Sequence, residues 1–419
     1  MLGADPSEPP AAEVRADDAV RPVVLVTPLT PQTGGNGLAM RAGMVLEALA
    51  SRWPVDLVIV PVSGPSAAGD WANRLARSVT TVGPVAGHEI RLHLTRQLAD
   101  ARLRERLEAT APLPARAMGA PPTLADDTAE MLGARAHRPR AVFVLRGYLA
   151  PFGATLARRL QADRIVIDLD DDDERYARSI GEDAEADAIA RLARVWLPDS
   201  DIVCVAAEPD ARSVAARYRL SRVVTLANAV RLPPTPPPPP PGDGRLLFVG
   251  NLTYEPNLEA ARLLVERVLP IVARMRPETI VDLVGPHAGD LSRAAGQRVH
   301  VHGMVDDLDP FYDRADIVVA PLIHGGGTRI KVLEAFAHHR PVVATRLAVA
   351  GLAVRDGHDV LLGDSPPELA LALTSLLDNP SLGGRIADNA ARTVATHYVQ
   401  NVVAPLICEL VSGQRVDPP

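Results

Sequence analysis

A glycine-rich loop followed by a lysine and a glutamate is the segment of this chain best suited to chemistry. Residues 320–345 read APLIHGGGTRIKVLEAFAHHRPVVAT. The three glycines at 325–327 have no side chains, so their backbone amides can approach a ligand closely. The free N–H groups of a helix start attract anions, and Lys331 adds a full positive charge there. Glu334 lies three residues further on the same helix face, where its carboxylate can accept hydrogen bonds from sugar hydroxyls. This combination suits the diphosphate and the hydroxyl groups of a nucleotide-diphosphate sugar.

The residues on either side predict the elements that position this loop. The apolar run Ile317–Ala320 predicts a strand, a helix then carries Lys331 and Glu334, and Pro341–Thr345 starts the next strand. The alternative interpretation is an ordinary turn between strand and helix, with Thr328 as the helix cap. A short glycine motif alone would favour that alternative, because such motifs often match by chance. The lysine, the glutamate and the flanking strands in register favour a ligand site.

The segment resembles the C-terminal signature of glycosyltransferase family 4, a retaining family with the GT-B fold, in the branch that reads G-G-G-T-R-I-K-x-L-E-A. The resemblance implies an α/β protein with two Rossmann-like domains, whose parallel sheets face an interdomain cleft. It implies that Arg329 and Lys331 stabilise the negative charge that develops on the leaving diphosphate. Glu334, the third candidate catalytic residue, would bind the ribose hydroxyls of the nucleotide. In such enzymes the departing phosphate itself takes the acceptor proton.

The same resemblance implies further contacts with the donor nucleotide sugar. The nucleotide base packs beside the turn from Gly303 to Val305, mostly through backbone atoms, so the identity of the base is poorly encoded. The candidate donor-binding residues are Gly250, Asn251, Gly303, Val305, His324, Gly325, Gly326, Gly327 and Thr328.

The chain departs from the family pattern at two places on the donor side. The E-x7-E pair of the family would place carboxylates at positions 326 and 334, but position 326 is glycine and only Glu334 matches. Family members also carry an arginine and a lysine in the loop that corresponds to residues 251–257, and both are missing here. We infer that Arg329 and Lys331 supply the compensating positive charge.

The first half of the chain predicts the other wall of the cleft. The β-branched run Val23–Thr27 predicts a buried parallel strand, and a glycine-rich loop follows it. Ala141–Leu145 predicts another strand, whose carboxyl end delivers Arg146 to the ligand crevice. Many relatives have a histidine near this point, so Arg146 is a departure at a contact with the donor sugar or acceptor. The candidate residues of this wall are Gly34, Gly35, Asn36, Arg146 and Asp170.

An acidic run follows the predicted strand Ile165–Asp168. Clustered carboxylates such as Asp170 to Asp173 can bind Mg²⁺ or Mn²⁺, and they can also cap the helix that follows. We favour a helix cap with polar side chains facing the cleft, because the resemblance implies a fold that needs no essential metal. Among His302, His324, His338 and His339, no pair has metal-ligand spacing with a supporting carboxylate, and we expect neither a metal nor another cofactor.

Composition and length indicate two domains. A chain of 419 residues is long for one hydrophobic core. A run of prolines, LPPTPPPPPPG, marks the boundary, because consecutive prolines form a stiff extended spacer. The predicted parts are residues 1–20 as a disordered lead, 21–230 as an N-terminal acceptor domain, 231–243 as a polyproline linker, 244–396 as a C-terminal donor domain, and 397–419 as a helix that crosses back to the first domain.

Charge and cysteine content exclude several partner classes and suggest a location. The net charge of −7 gives no reason to expect nucleic acid as a partner. Cys204 and Cys408 lie in apolar runs and are expected to be reduced, which fits a cytoplasmic protein without a transmembrane span. The arginine-rich segment 88–110 predicts a helix for which peripheral membrane contact stays open, although a solvated face is the favoured interpretation.

The sequence therefore predicts a retaining, metal-independent glycosyltransferase of glycan or glycoconjugate biosynthesis, with an unidentified acceptor. Two alternatives stay open. One is a GT-B epimerase of nucleotide sugars, and the other is a non-catalytic relative that binds a nucleotide sugar. An oxidoreductase is the weakest alternative, because neither glycine loop has dinucleotide-binding spacing.

Overall fold

The computed structural model describes residues 21–63, 69–83, 114, 116–133, 138–286, 298–325 and 330–413. The predicted lead at 1–20 and the predicted helix at 88–110 lie outside these residues. The described residues form two α/β domains, each built on a parallel sheet. None of the described helices is both long and apolar enough to span a membrane.

The sheet of the first domain has seven described strands. They are β1 (Val23–Thr27), β2 (Val55–Ile59), β3 (Ser78–Thr81), β4 (Ala141–Leu145), β5 (Ile165–Asp168), β6 (Ile202–Val205) and β7 (Val223–Thr225). They pair in the order β3-β2-β1-β4-β5-β6-β7, and every pairing is parallel. The near-continuous Val, Ile and Leu content of the inner strands suits a sheet that helices cover on both faces.

The sheet of the second domain has six described strands. They are β8 (Arg245–Val249), β9 (Ile280–Val284), β10 (Val299–Gly303), β11 (Ile317–Ala320), β12 (Val342–Ala344) and β13 (Leu361–Leu362). Their order is β10-β9-β8-β11-β12-β13, again with parallel pairing. The direction of winding reverses between β1 and β4 in the first sheet and between β8 and β11 in the second. Ligands of open α/β sheets bind at such reversal points, beyond the carboxyl ends of the strands.

Helices cover both sheets. In the first domain they are α1 (Gly37–Ala50), α2 (Asp70–Leu75), α3 (Pro122–Gly133), α4 (Ala150–Arg159), α5 (Asp173–Ser179), α6 (Asp183–Trp196) and α7 (Glu208–Tyr218). In the second they are α8 (Glu255–Arg262), α9 (Leu269–Met275), α10 (Asp309–Asp313), α11 (Ile330–Ala337), α12 (Pro366–Asp378) and α13 (Pro380–His397), and α14 (Gln400–Ser412) follows.

The chain crosses between the domains at two neighbouring places. Val230 lies next to Val399 in a parallel bridge, and its N–H donates to the carbonyl of Tyr398 at 2.8 Å. Helix α14 then packs on α1 of the first domain, where Gln400 donates to the carbonyl of Met44 at 2.9 Å.

The proline-rich connection is fastened to the second domain. The carboxylate of Asp316 accepts hydrogen bonds from the backbone N–H groups of Gly242 and Gly244, each at 2.6 Å. The buried guanidinium of Arg340 donates to the carbonyl of Pro238 at 2.7 Å. This part of the connection therefore has a fixed path along one domain.

Several local elements differ from the sequence expectations. The sequence analysis did not predict β3, α2 or α3. A π-helical stretch at Leu263–Val268 lies between α8 and α9. Pro270 follows that stretch and cannot donate a backbone hydrogen bond, which accounts for the altered pairing.

Candidate functional site

A large cleft of about 1460 Å³ lies between the carboxyl ends of the two sheets. Most of the described candidate residues line it. From the first domain these are Gly34, Gly35, Asn36, Arg146 and Asp170, and from the second they are Gly250, Asn251, Val305, His324, Gly325, Lys331 and Glu334. Gly303 is not among the residues that line the cleft, and its carbonyl accepts from the N–H of Gly285 at 2.8 Å. Four candidates lie outside the described residues: Gly326, Gly327, Thr328 and Arg329.

The ammonium group of Lys331 is held at the second-domain wall of the cleft. It donates a hydrogen bond to the side-chain oxygen of Asn257 at 2.7 Å, and it lies 4.5 Å from the centre of the Phe248 ring. The ring face attracts the cation, and the amide oxygen orients it. Lys331 is also the only lysine among the 44 lysine and arginine residues of the chain. A sequence that otherwise uses arginine throughout thus has its one compact ammonium group in the cleft.

Two glycines make room for this ammonium group. A β-carbon at Gly250 would lie 2.9 Å from the Lys331 nitrogen, so a side chain there would displace the amine. Gly285 has a φ of +136°, and a β-carbon on it would lie only 2.0 Å from the carbonyl oxygen of Gly250. The turn after β9 therefore requires glycine in order to support the turn after β8.

Glu334 sits one helical turn beyond Lys331 and is partly buried at the cleft wall. The hydroxyl of Tyr312 donates to its carboxylate at 3.0 Å, and the Tyr312 ring stacks on His338 with the ring centres 4.6 Å apart. Burial raises the pKa of Glu334 to about 7, and this effect exceeds the opposing influence of the Tyr312 hydrogen bond and the Lys331 charge. The carboxyl group can therefore exchange a proton near neutral pH, and as a carboxylate it can accept hydrogen bonds from hydroxyl groups.

The glycine loop after β1 reaches the opposite wall of the cleft. Asn36 caps α1 by accepting from the N–H of Ala39 at 2.8 Å. A β-carbon at Gly37 would lie 3.1 Å from the side chain of Ile330 at the start of α11. The first-domain loop and the helix that carries Lys331 are therefore close neighbours across the cleft.

Arg146 and Asp170 form a charged pair at the ends of β4 and β5. Their backbone φ angles are +78° and +64°, a region that residues with a β-carbon adopt only at a cost. The guanidinium of Arg146 donates to Asp170 at 3.3 Å and also to Asp173. Burial lowers the pKa of Arg146, but the nearby charges, that of Asp173 first among them, outweigh it and raise the pKa well above its usual value. Backbone strain at two adjacent strand ends is typical of positions whose geometry is set by function.

Arg41, which the sequence analysis did not single out, contacts the residues at the end of β5. It is fully buried on α1 and donates to both carboxylate oxygens of Asp168 at 2.8 Å. It also donates to the side chain of Asn228 at 2.9 Å, and its nitrogen lies 3.4 Å from Asp170. The signal in the sequence was a lone arginine within the otherwise apolar pattern of α1, and its carboxylate partner is 127 residues away.

The carboxylates of the acidic run after β5 are paired with arginine side chains. Arg217 bonds to both oxygens of Asp172 at 2.8 Å and to Glu174 at 3.1 Å. Asp172 also caps α5 by accepting from the N–H of Arg175. With Asp170 and Asp173 bonded to Arg146, these carboxylates serve ion pairs and a helix cap.

A histidine pair with a supporting carboxylate, which the sequence analysis did not consider, lies in the second domain. His300 and His302 on β10 lie beside Asp282 on β9, and one ligand atom from each lies within 4.8 Å of the others. Asp282 accepts from His302 at 2.6 Å and from Arg245 at 2.8 Å, and these hydrogen bonds outweigh burial and lower its pKa. The pairing was missed because the histidines and the aspartate lie on different strands. None of the three lines the cleft.

The second domain matches a known family. Residues 243–379 match the family model described as "Glycosyl transferases group 1". The chain is 29% identical over 257 residues to D-inositol 3-phosphate glycosyltransferase 2 of Catenulispora acidiphila, a match that covers 54% of this chain and 57% of that protein. The chain spans about half the length of the curated relatives it matches.

Solved structures share the architecture of almost the whole chain. Anabaena HepE, in a complex with UDP and glucose, superposes with a TM-score of 0.63 at 15% identity, covering 94% of this chain and 99% of that one. Sucrose-phosphate synthase from Thermosynechococcus elongatus superposes with a TM-score of 0.66 at 15% identity, covering 93% and 98%. At these identities the likeness concerns the fold, which is the GT-B fold of glycosyltransferases.

Proposed function

We propose that this protein is a retaining glycosyltransferase that moves a sugar from a nucleotide-diphosphate sugar to an acceptor hydroxyl. The observation that carries the proposal is the Lys331 ammonium, held by Asn257 and Phe248 against the backbone of Gly250. A compact cation beside exposed backbone at a helix start suits a diphosphate. The family match over residues 243–379 and the UDP bound by HepE support a nucleotide sugar as the donor.

In the proposed reaction the bond between the sugar C1 and the leaving phosphate oxygen breaks, and a bond between C1 and the acceptor oxygen forms on the same face. The acceptor proton passes to the departing phosphate. Lys331 stabilises the negative charge that develops on the diphosphate. Arg329, which lies outside the described residues, is proposed to act with it. Glu334 is proposed to bind the ribose hydroxyls of the nucleotide.

The arrangement of carboxylates favours transfer over epimerisation. An epimerase without an acceptor would need carboxylates and a histidine that converge on the sugar. The carboxylates that could serve, at 170–174, are paired with Arg146 and Arg217. The first-domain loop at Asn36, by contrast, borders the same cleft as Lys331 and leaves an approach for an acceptor.

A turnover assay tests the proposal. The protein is incubated with UDP-, GDP-, ADP- and dTDP-sugars, with a panel of hydroxyl acceptors, in the presence of EDTA. The proposal expects release of nucleoside diphosphate that depends on the acceptor, and a product whose anomeric configuration matches the donor. Turnover without any acceptor would support the epimerase, and tight binding without turnover would support a non-catalytic relative. Activity that EDTA abolishes would overturn the metal-independent mechanism.

A further inference from the structure

The first-domain side of the cleft continues into an arm between α5, α6 and α7. Its walls there include Ile180, Ile189, Leu192, Leu197 and Val214. Ile180 is 45% exposed, whereas Leu192, Leu197 and Val214 are 3%, 1% and 1% exposed. The arm therefore leads from an exposed apolar side chain to buried ones, as a binding pocket does, rather than lying flat on the surface.

The polar groups of this arm already have partners within the protein. The hydroxyl of Tyr218 donates to Glu174. Glu174 also accepts from Arg178 and from Arg217, each at 3.1 Å. Glu182 and Glu185, which line the cleft at the start of α6, also have partners. A ligand that entered the arm would meet apolar side chains and carboxylates that are already paired. A polar ligand would lose its bonds to water there without replacement.

The arm opens on the acceptor side of the cleft. Leu169 and Tyr176 line the cleft where the arm joins it, beside Asp170 at the end of β5. Lys331 and Glu334 lie on the opposite, second-domain wall. A molecule bound in the arm would therefore approach the donor sugar from the side that the acceptor must use.

We propose that the acceptor carries an apolar group, aliphatic or aromatic, close to the hydroxyl that receives the sugar, and that this arm binds that group. The inference rests on the proposed function and extends it to the class of acceptor. An amphipathic acceptor fits the arm, whereas the interior of a wholly polar glycan does not. Each methylene that the arm buries should tighten binding about fourfold.

The test compares n-octyl and methyl β-D-glucoside, which share a headgroup and differ in the alkyl chain. Their dissociation constants are measured by calorimetry with saturating nucleoside diphosphate, below the micelle concentration of the octyl compound. Octyl glucoside should bind at least tenfold more tightly. Ile189→Asp, which puts a charge in the arm, should abolish the difference. Val195→Asp puts the same charge on the same helix at a side chain that is 62% exposed and should leave the difference unchanged.

Equal affinity for the two glucosides would overturn the inference, as would equal loss in the two aspartate variants. If Ile189→Asp fails to fold, Ile180→Ser at the entrance replaces it and should weaken octyl glucoside binding at least threefold. The thermal shift with nucleoside diphosphate alone is a separate readout of the donor site. Absence of this thermal shift would contradict the proposed function. The comparison of octyl and methyl glucoside, repeated without nucleotide, would still test whether the arm binds an apolar group.

Discussion

Lys331 places its ammonium nitrogen 2.7 Å from the side-chain oxygen of Asn257. The two residues are 74 positions apart, and they meet where the turns after β8 and β11 approach each other. Members of the family that the sequence resembles carry an arginine and a lysine in the segment that corresponds to residues 251–257. In this chain that segment instead provides Asn257, in the first turn of α8, which orients a cation from α11.

Removing the charge of Lys331 should weaken donor binding. Lys331→Met keeps most of the side-chain length, but it loses a charge-assisted hydrogen bond to the diphosphate, which is worth about 2 kcal/mol. The dissociation constant for the nucleoside diphosphate, measured by calorimetry, should rise about 30-fold, while binding of the free nucleoside should change little. Arg355→Met on the surface is the control. An unchanged diphosphate affinity in Lys331→Met would remove Lys331 from the site.

A methyl group at position 250 should act through the same contact. Gly250→Ala places a β-carbon 2.9 Å from the Lys331 nitrogen, so the amine must move. Diphosphate affinity should fall at least tenfold, with the thermal midpoint lowered by only a few degrees. The control is Gly384→Ala within α13, where a β-carbon meets nothing within 4 Å and where alanine should stabilise the helix by about 0.5–1 kcal/mol. Unchanged diphosphate affinity in Gly250→Ala would contradict this, because it would show that the Lys331 amine tolerates a methyl group at position 250.

Glu334 should make stability depend on pH. Its folded pKa of about 7 lies above the unfolded value of 4.5, so its stabilising contribution is fully present below pH 4.5 and is lost as the pH rises through 7. Glu334→Gln keeps an acceptor for Tyr312 and removes the titration. The variant should be more stable than the parent at pH 8 by up to about 3 kcal/mol, with this advantage shrinking toward pH 4.5.

Urea unfolding at pH 5, 6, 7 and 8 measures this effect. The control is Glu278→Gln, an exposed carboxylate whose side chain is 53% accessible. A stability difference between Glu334→Gln and the parent that stays constant with pH would contradict the raised pKa.

The strained backbone at Arg146 can be separated from its charge. Arg146→Ala and Arg146→Gly both remove the guanidinium that bonds to Asp170 and Asp173, and each variant should lose about 2 kcal/mol or more of folding stability. A φ of +78° strains alanine but not glycine, so the glycine variant should be the more stable of the two by about 1 kcal/mol. Chemical denaturation of the three proteins measures both differences. An alanine variant as stable as the glycine variant would mean that the backbone relaxes when the guanidinium is removed.

The sequence predicted the repeating α/β pattern well because buried parallel strands leave a strong local signal. The runs at β1, β4, β8 and β11 are short, apolar and bounded by glycine or proline. The elements that the sequence analysis missed have a weaker local sequence pattern. Strand β3 reads SVTT at the edge of the sheet, and its burial depends on the strand beside it rather than on its own composition.

The site was predicted only where one stretch of chain carries several of its parts. Lys331 and Glu334 share a helix, so their spacing was visible. Asn257, Arg41 and the partners of the acidic run were not visible, because their contacts join residues tens of positions apart. The single occurrence of lysine was in the sequence from the start and would have pointed to the same corner.

The same single lysine allows the most direct test of the donor site. Reductive methylation with ¹³C-formaldehyde labels the Lys331 amine as the one side-chain amine of the chain, apart from the backbone terminus. The labelled protein is titrated with UDP, GDP, ADP, CMP and dTDP, and with NAD, while its ¹³C spectrum is recorded without metal. At least one nucleoside diphosphate should shift the Lys331 resonance saturably, and NAD should not. If no nucleoside diphosphate moves this resonance, the assignment of Lys331 to a nucleotide-sugar site is wrong.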